Sequence, residues 1–64
     1  MAGRIIKTCR SSRGVRYGLR RGIGKEVEPG ITLRGWVIER NGKAFLFVLH
    51  KGKAERYMTE LCGQ

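Results

Sequence analysis

Hydrophobic and polar residues alternate most clearly in the second quarter of the chain. Val15, Tyr17 and Leu19 share one parity, and basic residues or glycine occupy the other. A period of two residues is typical of a strand with one buried face, so this segment predicts a strand whose outer face is basic. Residues 4–10 contain several β-branched side chains and predict an earlier strand, with 11–14 as the turn between the two.

Two more strands are predicted on either side of Asn41-Gly42, a dipeptide that strongly favours a two-residue hairpin turn. The strand before the turn covers 31–40, and a bulge at Gly35 would bring its apolar residues to one face. The strand after the turn covers 44–49 and is apolar at every position. Such a strand is expected to be central or covered on both sides. Residues 22–30 predict a loop.

The period changes near the C-terminus, where apolar residues recur at i, i+3, i+4 and i+7. These residues are Ala54, Tyr57, Met58 and Leu61. The spacing predicts an amphipathic helix over about residues 53–62, capped by Gly63, that covers Phe45 and Phe47 on one sheet face. The expected fold class is α+β, a small antiparallel β-sheet of three or four strands with one C-terminal helix, in a single basic domain of residues 1–64.

Charge is distributed very unevenly along this fold. Residues 1–25 hold eight basic side chains and no acidic one, whereas the remaining residues hold six basic and five acidic side chains. Folding does not require this asymmetry, because self-repulsion destabilises a compact state. A positive surface of this kind suits a polyanion, and the expected polyanion is nucleic acid. The alternative is a basic surface that serves only solubility.

One short segment resembles a known phosphate-binding turn. Residues 19–25, Leu-Arg-Arg-Gly-Ile-Gly-Lys, resemble the G-h-G turn of the helix-hairpin-helix family, which implies that backbone amides there hold a DNA phosphate. Pro29 and Gly30 end any second helix after one turn, so a flexible basic loop is the preferred interpretation. Lys25 is followed by Glu26 and not by serine or threonine, which excludes a nucleotide-binding P-loop.

The expected architecture is similar to that of the arm-binding modules of tyrosine recombinases and of the plant GCC-box domain. Those families dock the outer face of a small sheet into the major groove of DNA. The similarity implies the same mode here. It agrees with the strand pattern, which places Arg16, Arg20 and Arg34 on the uncovered face. Arginine reads guanine bidentately in that groove.

We therefore predict a non-enzymatic nucleic-acid-binding protein that favours duplex DNA over RNA, as an accessory regulator of a phage or mobile element. The candidate contacts are Arg10, Arg13, Arg16, Arg20, Arg21, Lys25, Arg34, Lys51 and Lys53. Lys51 and Lys53 flank the start of the predicted helix, where a phosphate would accept uncapped amides. The alternatives are an RNA-binding or ribosome-associated factor, and a protein-binding inhibitor that uses a basic face or an exposed sheet edge.

Catalysis, cofactors and metals are not expected. The chain is short, it has one histidine, His50, and its two cysteines lack the paired spacing of a metal site. No run of 18 apolar residues predicts a membrane span, and the N-terminus lacks the apolar core of a signal peptide. A cytoplasmic location is expected, associated with the nucleoid if DNA is the ligand. Cys9 and Cys62 are then free thiols by default, although the sequence leaves their pairing open.

Overall fold

A computed structural model describes residues 4–63 and shows a four-stranded antiparallel sheet followed by one helix. The strands are β1 (Lys7–Arg10), β2 (Arg16–Ile23), β3 (Arg34–Arg40) and β4 (Lys43–Val48), and the helix is α1 (Lys51–Cys62). The strands lie in the sheet in chain order, and a short 3₁₀ turn (Gly24–Glu26) begins the connection from β2 to β3. The predicted α+β architecture is confirmed.

The core lies between α1 and one face of the sheet. Leu19 and Ile38 are partners in the ladder between β2 and β3, and both are completely buried. Ala54 and Met58 of α1 pack against them, as the helical spacing predicts. Tyr57 remains 37% exposed, because successive helical residues lie about 100° apart and this side chain falls at the margin of the apolar stripe. Its predicted place in the core is wrong.

Part of the opposite sheet face is covered by the connection between β2 and β3. Val37 points to that face and is fully buried, and a Cβ atom at Gly24 would collide with Ile31. Phe47 pairs with Val37 and therefore faces the connection, not α1 as expected from the sequence. β4 contacts both α1 and the connection, but Phe45 remains 41% exposed, so this edge strand is neither central nor fully covered.

The predicted bulge at Gly35 is wrong. Gly35 pairs regularly with Gly22, and the irregularity lies on β4, where Ile38 pairs with Leu46 but the next residue pairs with Ala44. Phe45 lies between these two partners in β4 and is the additional residue. The side chains of β3 therefore alternate between the two sheet faces without interruption. This register places Arg34 and Trp36 on the same face of the sheet, which is the face that α1 covers.

The predicted hairpin turn and the predicted end of the helix both have the expected residues. Asn41 and Gly42 both have positive φ values, 50° and 85°, as a tight hairpin turn between β3 and β4 requires. Asn41 also accepts a hydrogen bond from the backbone amide of Arg16 through Oδ1, at 3.1 Å. Gly63 ends α1 as predicted, and its amide donates to the carbonyl oxygen of Thr59. The described helix is neither long nor apolar enough to cross a membrane.

A disulfide joins the first strand to the end of the helix. Cys9 and Cys62 are bonded, with their Cα atoms 6.1 Å apart and a separation of 53 positions in the sequence. The default expectation of two free thiols is therefore corrected. The physical reason is the packing of α1 across the sheet, which brings its last turn to β1 although the two cysteines lie at opposite ends of the sequence.

Candidate functional site

Two arginines face each other across the first two strands. Arg10 and Arg16 are directly paired in the ladder between β1 and β2, and both are exposed. Like charges in this position destabilise a sheet. Among residues 4–63, the ion pairs all belong to Arg20, so no carboxylate neutralises this arginine pair. Two like charges that face each other across strands without an ion-pair partner are an exception to sheet stability, and such exceptions are expected at functional sites.

The arginine pair borders a shallow groove on the sheet face that α1 leaves uncovered. This groove has a volume of about 520 Å³. The residues that define it are Thr8, Arg10, Arg16, Gly18, Glu39 and Asn41. Gly18 lies on its floor, where the side chain of Ile5 comes within 3.1 Å of the position that a Cβ atom would occupy. The groove presents two guanidinium groups, which bind phosphate oxygens or a guanine edge, whereas its carboxylate, Glu39, accepts a hydrogen bond from Arg20.

Arg20 lies on the same face but is not free to bind a ligand. It is only 4% exposed, and its Nη2 lies 2.7 Å from Oε1 of Glu26 while its Nε lies 2.6 Å from Oε2 of Glu39. The hydrogen bonding that Arg20 donates to the carboxylate of Glu26 is the main cause that raises the pKa of Arg20. Arg20 therefore fastens the 3₁₀ turn to the sheet, which corrects the expectation that it projects from an uncovered face.

Contact with Arg20 favours the ionised state of Glu26. The hydrogen bond from Arg20, followed by one from the backbone amide of Ile23, lowers the pKa of Glu26 below its usual value of 4.5. A lowered folded pKa contributes stability at pH values above the usual one, and that contribution is lost as pH falls through the folded value. Acid should therefore weaken the contact that fastens the connection between β2 and β3 to the sheet.

We expect Glu26→Gln to unfold at a lower temperature than the wild type at neutral pH. The difference should shrink as pH falls through the lowered pKa of Glu26, because the wild-type carboxylate is then protonated as well. Thermal unfolding followed by circular dichroism at a series of pH values measures both curves. Glu28→Gln is the matched control, because Glu28 is exposed and forms no ion pair in the described part of the chain. A constant difference at all pH values would contradict this role of Glu26.

A second group of basic side chains surrounds Trp36. The guanidinium carbon of Arg21 lies 5.2 Å from the centre of the Trp36 ring, and Nζ of Lys51 lies 5.6 Å from it. Arg21 pairs with Trp36 across the sheet, whereas Lys51 is the first residue of α1. We call Arg21, Trp36 and Lys51 the tryptophan cluster. His50 is the N-cap of α1 and makes no side-chain capping bond, and the first turn contains no acidic residue.

The structure separates the nine predicted contact residues instead of joining them in one surface. Arg13 lies in the turn between Arg10 and Arg16 and is exposed, but it does not line the groove. Arg34 is exposed on the face of Trp36, because β3 has no bulge at Gly35, so its expected place on the face of Arg16 is wrong. Lys25 and Lys53 are exposed on the 3₁₀ turn and on α1, and they border neither group.

The segment that resembles a helix-hairpin-helix turn has a different structure. β2 continues to Ile23, so most of this segment is strand and not a flexible loop. A Cβ atom at Gly22 would lie 2.6 Å from Oε2 of Glu26, which explains the first glycine by the close approach of that carboxylate. Sequence reasoning missed this contact, and the only local signal for it was an acidic residue soon after a basic strand.

The described residues contain no group of three or more histidine, cysteine, aspartate or glutamate side chains arranged to hold a metal ion. Comparison of the chain with models of protein families, with curated proteins and with solved structures finds no match. The interpretation of the site therefore depends on its geometry and charge.

Proposed function

We propose that this chain is a non-enzymatic DNA-binding protein that contacts duplex DNA with the sheet face around the groove, as an accessory regulator of a phage or mobile element. The observation that carries the proposal is the unneutralised pair of Arg10 and Arg16 at the border of the groove. A guanidinium fork binds phosphate oxygens or a guanine edge through two parallel hydrogen bonds. A major groove about 12 Å wide admits a pair of strands.

The chemistry of the groove favours duplex DNA over other nucleic acids. Single strands are commonly held by exposed aromatic rings on which bases stack. Tyr17 is only 8% exposed, and Trp36 lies on the other sheet face with the two cations of the tryptophan cluster against its ring. Duplex RNA has a deep and narrow major groove that side chains do not read. RNA binding, as in a ribosome-associated factor, is therefore the less favoured alternative.

A protein partner is the second candidate, and the edge of β4 favours it. Among the described strands, β4 pairs only with β3, and residues 44–49 carry no charge. Natural edge strands are usually protected by charges or covered, and an unprotected edge accepts an additional strand from a partner. An inhibitor would use this edge, with the basic face directed at an acidic surface.

Titration of labelled duplex DNA at several salt concentrations tests the proposal directly. If about five phosphates are engaged, the logarithm of the association constant should fall against the logarithm of salt with a slope near −5. Competition at matched salt with single strands and with duplex RNA should leave duplex DNA as the preferred ligand. A slope near zero, or stronger binding to either competitor, would contradict duplex DNA binding through phosphates.

The proposed location is the cytoplasm, with nucleoid association. The Cys9–Cys62 bridge weighs against this location, because disulfides are rare in cytosolic proteins. Trapping thiols in intact cells with an alkylating reagent, followed by mass spectrometry of the two cysteines, measures their state. Complete oxidation would favour an oxidising compartment and contradict the proposed location.

A further inference from the structure

We infer that the tryptophan cluster is a second polyanion site, and that one molecule therefore holds two duplex segments at once. The inference rests on the proposed function of the groove and adds bridging between DNA segments to it. It would make the protein an architectural factor as well as a ligand of one duplex.

The two basic groups point in opposite directions. Arg16 and Arg21 lie five positions apart in β2, and an odd separation places side chains on opposite faces of a strand. At about 3.3 Å per residue, they are also about 17 Å apart along the strand. The groove therefore opens on the face away from α1, and the tryptophan cluster lies on the other face and at the other end of β2.

The cations of the tryptophan cluster have no anionic partner among residues 4–63. Arg21 and Lys51 come from two different elements and converge on one ring, and neither forms a salt bridge with a described carboxylate. A ring attracts each cation through its negative face, but the two cations repel each other. Arg34 adds a third positive charge on the same face, two positions from Trp36 in β3. A phosphate group would relieve this repulsion.

One duplex segment does not reach both groups. The molecule extends only 33 × 21 × 19 Å, whereas duplex DNA stays nearly straight over a persistence length of about 150 base pairs. Contact with both faces would require the duplex to reverse direction around an object much smaller than that length. The two sites are therefore served by two separate segments.

A bridging assay tests this inference. One duplex is fixed to beads, the protein is added, and retention of a second, labelled duplex from solution is measured. Wild-type protein should retain the labelled duplex. In Arg21→Gln/Lys51→Gln, the number of duplexes bound per molecule at saturation should fall from two to one and retention should fall at least about tenfold, because the second phosphate site is removed while the groove keeps its own duplex.

The matched control is Lys43→Gln/Arg56→Gln, which removes two charges from a strand and from α1 without touching either basic group. This control should keep bridging, and thermal unfolding should show that both double variants are folded. Unchanged bridging in Arg21→Gln/Lys51→Gln overturns the inference and points to bridging by a protein dimer. Wild-type protein that binds one duplex without bridging also overturns it but leaves the proposed function intact, whereas failure to bind any duplex contradicts both.

Discussion

Replacement of both cysteines, in Cys9→Ala/Cys62→Ala, is expected to lower the free energy of unfolding by about 4 kcal/mol. The bridge closes a loop across 53 positions, and the entropy that such a crosslink removes from the unfolded chain corresponds to about that value. A domain of this size has only a few kcal/mol to lose. The midpoint of thermal unfolding should therefore fall by about 15 to 30 °C, because each kcal/mol shifts it by about 4 to 8 °C in small domains.

Three further measurements make this prediction specific to the bridge. The oxidised wild type should show no reactive thiol after unfolding, and the wild type treated with a dithiol reductant should unfold like the double variant. Cys62→Ala alone should lose nearly as much stability as the double variant, because either substitution removes the same crosslink. Two titratable thiols in the purified protein, or an unchanged unfolding midpoint after reduction, would contradict the assigned bridge.

The parts of the fold that the sequence predicted are those set by local periodicity. The alternation around Tyr17 and Leu19, the Asn41-Gly42 turn and the stripe of Ala54 and Met58 each act over a few residues, and all three are confirmed. The edge position of β4 and its bulge were not predictable in the same way. They depend on which strands become neighbours. A continuous run of apolar residues has no period that shows which elements pack on the two faces of the strand.

The candidate site shows the same division. Composition identified the basic residues, and parity correctly placed Arg16 and Arg20 on one face of β2. Parity does not show that a distant part of the chain covers that face. Arg20 is buried because Glu26 and Glu39 reach it from the connection and from β3, which are contacts between elements. Arg34 was misplaced by the bulge assumed at Gly35.

The groove makes its own strong prediction, in which stability and binding move in opposite directions. Arg10→Gln/Arg16→Gln should weaken duplex DNA binding by about 3 kcal/mol or more, since each hydrogen bond from a charged group contributes about 1.5 to 3 kcal/mol. The salt slope should become less negative by about two, one for each lost phosphate contact. The free energy of unfolding should stay the same or rise by a few tenths of a kcal/mol, because two like charges no longer face each other.

Fluorescence anisotropy and denaturant unfolding measure these two effects on the same samples. Lys43→Gln/Arg56→Gln is again the matched control, since it removes the same charge outside the groove and should lose much less affinity. Arg20→Gln should show the opposite pattern and lose stability more than DNA affinity. This substitution removes the ion-pair partner of Glu26 and Glu39. If the groove variant binds no worse than the matched control, the ligand of Arg10 and Arg16 is not DNA, and their unneutralised charge requires another partner.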